Sequence, residues 1–195
     1  MLNSPAAIVI NRYCQTNLFI LNFVQKLSDE QLHWQPATGN QSIAFHAWHI
    51  GRWADRSQAT IAGMTPELGR RLPPGVDIWE TEQLANRWGF NNVQLGWGNT
   101  GMQMPDEVAM RLPFPAKPVM MDYLAKVVAL AERTVSAVDD EQFVRPEQLQ
   151  PLSEGVWGQA TVGDALVAHI VHGNRHLGMM ECLLGLQGQA GTATI

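Results

Sequence analysis

Three of the six histidines in this 195-residue chain fall in the stretch AHIVHGNRHLG, at His169, His172 and His176. Successive residues of a helix turn by about 100°, so steps of three and four put all three on one face. His46 and His49, in FHAWHIG, are likewise three apart. Several imidazoles in one apolar interior must each satisfy two ring nitrogens, and a buried unpaired one costs about 1–3 kcal/mol. A shared cation removes that cost, because neutral imidazole binds Zn, Ni, Fe or Cu well. Taken singly, each histidine also reads as an ordinary half-buried residue with one hydrogen bond.

The residues that are absent narrow the chemistry. HGNRH, 172–176, has the i, i+4 pair of a zincin helix but no Glu beside the first histidine, so the usual metalloprotease base is missing. A di-iron carboxylate bundle needs a pair of Glu-x-x-His motifs, and only Glu30–His33 fits, in what reads as a loop. Three neutral His donors with an open fourth position remain, the pattern of a catalytic site. A metal held that way lowers the pKa of a bound water or thiol towards neutrality.

Four segments carry the 3.6-residue period that could position these side chains. The first, roughly 5–27, shows Ala7, Ile10, Cys14, Asn17, Leu21 and Val24 in one stripe, with Ser28–Glu30 as its stop. The second begins near Asn40–Ser42 and ends at Gly63, before Pro66. The third opens at Pro118, carries Met120, Leu124, Val127, Ala131, Thr134 and Val138, and stops at Asp139-Asp140. The fourth starts at Thr161, whose T-x-x-D to Asp164 has capping-box form, and runs to about Leu186. Its core stripe contains His169, His172 and His176. No strict alternation argues for a sheet, so the expected fold is all-α: an antiparallel four-helix bundle forming one domain over 1–195, with a long crossover between helices two and three. That crossover, 64–117, is too long for a turn and should hold short helices, DIWETEQLANRWG being one candidate.

Composition agrees with a globular chain, 46% hydrophobic and 16% charged. The net charge of −5 without a run of Lys or Arg disfavours nucleic acid, and the apolar stretches are too short for a signal peptide or membrane span. A cytoplasmic location is expected. Cys14 and Cys182 form no CxxC or disulfide framework and read as reduced thiols.

The run LSDEQLHWQPATGNQSIAFHAWHIGRWADR, 27–56, together with HIVHGNRHLGMMECLLGLQG, 169–188, resembles the DinB-like superfamily of metal-binding four-helix bundles. NTGMQMPDEV, 99–108, resembles the crossover of some members. The resemblance implies that His49, in the Trp48-His49-Ile50 context, is joined by His172 and His176 as ligands of a divalent metal, often zinc or nickel. It also implies frequent homodimers and a kinship with thiol-dependent transferases and isomerases. His46 and His169 lie outside that triad, as candidates to orient a ligand or shuttle a proton, or as satisfied core histidines. Spacing alone leaves open that His46 takes the place of His49.

Arg52 and Arg56 lie one and two turns beyond His49, where they could meet an anionic substrate or thiol; pairing with carboxylates such as Asp55 is the preferred reading. Trp48, Trp53, Trp79, Trp88 and Trp97 could wall an apolar pocket or simply pack the core. GWGNTG, 96–101, reads as a turn. The leading expectation is an enzyme, a metal-dependent hydrolase or thiol-dependent S-transferase acting on a small molecule through activated water or a low-molecular-weight thiol. The alternative is a metal-binding or stress-associated module without turnover.

Overall fold

The structure, a computed structural model, describes residues 4–36, 39–64, 70, 76–90, 93–145 and 161–192. Among them the chain is helical, with one isolated antiparallel bridge between Trp97 and Met102. The long helices are α1 (Pro5–Lys26), α3 (Ile43–Met64), α7 (Lys117–Ser136) and α9 (Val162–Leu186). Short ones intervene: α2 (Asp29–His33), α4 (Ile78–Thr81), α5 (Leu84–Arg87), α6 (Asp106–Ala109) and α8 (Asp140–Val144).

Each long helix packs on two others: α1 and α3 both contact α7 and α9. Lys117, which opens α7, donates its amide to Asp29 at 2.6 Å and its ammonium to the carbonyls of Gln25 and Leu27, so α7 starts where α1 ends. His46 and His49 on α3 meet His176 and His172 on α9 in reversed order, so those helices run opposite ways. On α3 and α7, Asp55 meets Tyr123 while Ile61 clusters with Ala131 and Val135, so these neighbours run the same way. Two parallel neighbours cannot be joined by a tight turn, and this is why the crossover is long.

Local sequence explains most of the boundaries. Thr161 accepts from the Asp164 amide at 3.0 Å while Asp164 reaches back to the Thr161 amide at 2.9 Å, completing the expected capping box. Ser42 caps α3 through the Phe45 amide at 3.3 Å. The expected stripe of α7 is buried throughout. The expected end of α3 involves Pro66, which lies outside the described residues.

Two expectations are corrected, and the ends of α1 and α7 carry more than stops. Ser28 and Asp139 follow the ends of α1 and α7 as expected, and each also forms a capping box with the Gln three residues on and begins α2 and α8. His33 therefore closes a short helix instead of sitting in a loop, with Nδ1 2.8 Å from the Asp29 carbonyl and Nε2 3.1 Å from that of Pro115. The buried face of α1 is carried by Ala6, Tyr13, Thr16, Asn17, Ile20, Phe23 and Val24, leaving Ala7, Ile10, Cys14 and Leu21 only half-buried. The bulk of Tyr13, Ile20 and Phe23 rotates the helix about one residue from the expected stripe.

Helix α3 is buried nearly all round from Ser42 to Arg52, because the crossover covers the face that α7 and α9 leave open. Trp48, Trp79, Trp88 and Phe90 pack there, with Trp48 5.7 Å from Trp79 between ring centroids and Trp79 5.1 Å from Trp88.

Candidate metal centre

Four of the expected histidines converge where α3 crosses α9. His49, His172 and His176 can each offer one ligand nitrogen within 4.8 Å of the others, and their ring centroids are 4.7–5.0 Å apart. His46 lies alongside, with Nδ1 3.0 Å from His176 Nδ1. His49 is buried; His172 and His176 are half-buried, so the cluster faces outward along α9.

Their protonation follows from position. Burial pushes His46 down to about 4, and burial together with the neighbouring His172 takes His49 to about 4. Burial also lowers His172, with Arg175 contributing, and takes His176 to about 2 with help from His49 and the other rings. All four are neutral at pH 7, the state in which imidazole binds a metal.

His49 Nδ1 lies 2.5 Å from the Thr100 carbonyl oxygen, which can only accept, so the single proton of neutral His49 sits on Nδ1. Its Nε2 is therefore a bare lone pair, and it lies 3.1 Å from His172 Nε2. At that distance the His49 lone pair either accepts an N–H from His172 Nε2 or, where that nitrogen is also unprotonated, shares a cation with it. Nitrogens at two corners of a tetrahedral zinc shell are about 3.3 Å apart at ordinary Zn–N lengths. The donor set and its spacing thus fit a divalent cation.

The Thr100 carbonyl belongs to the turn 96–101, read from sequence as a turn and nothing more. Arg52 holds that turn through Nε to the Asn99 carbonyl at 3.0 Å, while its guanidinium forms paired contacts to Asp77 at 2.9 and 3.2 Å. Asp55 takes Arg52 at 3.0 Å and also accepts from Ile78, Trp79, Tyr123 and Gln58. Burial, then the nearby Asp77 charge, pushes the Asp55 carboxyl up to about 6, so it still faces its donors ionised at neutral pH. Arg52 and Asp55 are fully buried, so Arg52 cannot receive a substrate; it pairs with carboxylates, as preferred from sequence. Gly101, at φ +87°, lets the turn close: a Cβ there would meet Trp48 Cζ3 at 2.8 Å and His49 Nδ1 at 3.3 Å.

His169 takes no part in the cluster of ligand nitrogens. Its Nε2 lies 2.9 Å from Asn17 Oδ1 and its ring lies tilted against Tyr13 with centroids 4.7 Å apart, which makes it a satisfied core histidine. Cys182 is exposed, and burial pushes the Cys14 thiol up to about 11. Of the tryptophans, Trp53 and Trp97 line the site, stacked at 5.6 Å, with Trp53 edge-on to His172; Trp48, Trp79 and Trp88 belong to the core. Sequence reasoning missed Thr100, because the acting atom is a backbone carbonyl; the glycine density of GWGNTG was the one available signal.

An all-α chain with three convergent, neutral histidines at a helix crossing is the class that fold and site define. The DinB superfamily model matches residues 20–180, and the chain belongs to that superfamily. Its fold is similar to that of a conserved protein from Enterococcus faecalis with a TM-score of 0.64 at 15% identity, covering 94% of this chain and 99% of that one. No curated protein matches the sequence.

Proposed function

We propose that His49, His172 and His176 hold a divalent metal, zinc or nickel, with a coordination position left open for a water or a low-molecular-weight thiol. The observation that carries this reading is the bare Nε2 of His49, fixed by Thr100, aimed at His172 Nε2. When bound, the ion supplies Lewis-acid polarisation and a lowered pKa for the group in the open position. Within the chain, Thr100 fixes the tautomer of His49. His46 Nδ1 lies 3.0 Å from His176 Nδ1, and in the tautomer in which His46 accepts, His176 Nε2 is left free to bind. No described carboxylate lies among these contacts to act as a general base, so the chemistry assigned is hydrolysis or transfer on a small molecule by an activated water or thiol.

The test is elemental analysis of the purified protein beside His49→Ala, His172→Ala and His176→Ala. Stoichiometric metal in the wild type and its loss from each variant is expected; retention by all three refutes the site. With cobalt(II) loaded, added 2-mercaptoethanol is expected to shift the visible spectrum. An unchanged spectrum would mean a closed shell and favour a non-catalytic metal module.

We also propose a homodimer through the outer faces of α1 and α9, where Phe19, Val171 and Met179 are 57, 54 and 43% exposed. Sedimentation of the wild type beside Val171→Asp tests it, and a monomeric wild type refutes it. Among the described residues no helix is long and apolar enough to cross a membrane.

A further inference from the structure

Arg56 differs from Arg52 in its partners. Arg52 is neutralised by Asp55 and Asp77, whereas among the described residues no carboxylate lies within ion-pair distance of Arg56. Its guanidinium carbon rests 4.7 Å from the Trp97 ring centroid, and its Nε is buried with no hydrogen-bond partner. Gly98 leaves the room: a Cβ there would sit 3.0 Å from both Cζ and Nε of Arg56. The adjoining Trp53 likewise buries its indole N–H unpartnered. Arg56, half-buried, thus keeps its charge and a buried donor without a carboxylate among the described residues, and an unmatched buried donor costs about 1–3 kcal/mol; the indole N–H groups of Trp48 and Trp79 in the core are in the same state as that of Trp53.

The position relative to the triad sets the size of the missing partner. Arg56 follows His49 by seven residues, which on a helix is about 10 Å along the axis and about 20° around it. Between them lies Trp53, stacked on Trp97 at 5.6 Å and in edge contact with His172 at 5.6 Å and His49 at 6.4 Å. Cation, flat aromatic wall and histidine cluster follow one another along one face of α3.

We propose that Arg56, Trp53 and Trp97 form a subsite for the carboxylate end of an elongated small-molecule acid, whose planar or apolar middle lies on the tryptophans and whose other end reaches the histidine triad. This rests on the metal-site reading for what happens at the far end, but not for recognition of the carboxylate. Arg56 is a specificity-determining residue in this scheme. The guanidinium takes the carboxylate through charge-assisted hydrogen bonds, and the tryptophans select against bulky aliphatic acids.

Calorimetric titration with 4-phenylbutyrate and with neutral 4-phenylbutan-1-ol tests the subsite, using the protein as purified and after chelator treatment, beside Arg56→Gln and Trp97→Leu. Wild type should bind the carboxylate at least about tenfold more tightly than the alcohol, with or without metal. Arg56→Gln should erase that preference while retaining wild-type metal content and thermal midpoint. Trp97→Leu should weaken both probes. Absence of saturable carboxylate binding to wild type, or equal binding to Arg56→Gln, overturns the proposal. Binding that vanishes on chelation and ignores Arg56→Gln overturns it too, because the carboxylate would then sit on the metal. Metal missing from the wild type, with the Arg56-dependent preference intact, would overturn the metal reading and leave the subsite standing.

Discussion

The Thr100 carbonyl oxygen lies 2.5 Å from His49 Nδ1, and that contact decides which nitrogen of His49 is free to bind a metal. It joins a loop to a candidate ligand, so a metal held by these histidines would depend on crossover residues outside the donor set.

Gly101→Ala tests this dependence most directly. The new methyl would clash with Trp48 and crowd His49 Nδ1 at a φ of +87°, forcing the turn outward. Zinc affinity, measured by competition with a chromophoric chelator, is expected to fall about tenfold or more. A stability loss of about 1–3 kcal/mol should accompany it. Unchanged affinity in a folded variant would show that the turn does not orient His49.

His46 and His169 are expected to separate. His46→Ala removes the partner of His176 and should weaken zinc by about tenfold. His169→Gln, whose side chain faces Asn17 in the core, should leave zinc affinity within about twofold while lowering the thermal midpoint. Weaker zinc binding in His169→Gln than in His46→Ala would reverse the assignment.

Burial also sets a pH dependence. His169 is pushed down to about 3 from its ordinary 6.5, so between those values the unfolded chain holds a proton that the folded chain refuses. Stability is therefore present in full above about pH 6.5 and is lost as pH falls towards the folded value, by up to about 1.4 kcal/mol per pH unit for this one group. Urea unfolding of chelated protein between pH 4 and 7 should show the decline, and His169→Gln should make it shallower by one proton. An identical slope in the variant would contradict the assignment of a neutral core imidazole.

Much of the frame was legible because periodicity and caps are local: the Thr161 box, the α7 stripe and the i, i+4 pair His172 and His176 are as the sequence implies. Ser28 and Asp139 mark the ends of α1 and α7 as read, but that they also begin α2 and α8 was not legible, because a cap residue reads the same whether it ends one helix or begins the next. DIWETEQLANRWG, expected as a single short helix, splits where Gln83 turns left-handed at φ 52° between α4 and α5. The choice between His46 and His49 could not be made from angles, since both face α9; only His49 has its second nitrogen fixed by a loop carbonyl.

The buried Arg52–Asp55 pair yields the last prediction, because it serves both stability and the site. Asp55 gathers the amides of Ile78 and Trp79, the Tyr123 hydroxyl and the Arg52 guanidinium, so it pins the start of the crossover to α3 and α7. Asp55→Asn places an amide donor against some of those donors and leaves Arg52 short of charge, and a loss of about 3–5 kcal/mol is expected in urea unfolding. Arg52→Met should cost less, because Asp55 keeps its other donors and Asp77 is 19% exposed. Arg52→Met also releases the Asn99 carbonyl and with it the hold on Thr100, so its zinc affinity should fall by about tenfold in protein that is still folded. Wild-type zinc affinity in Arg52→Met would confine the pair to stability and detach it from the histidine site.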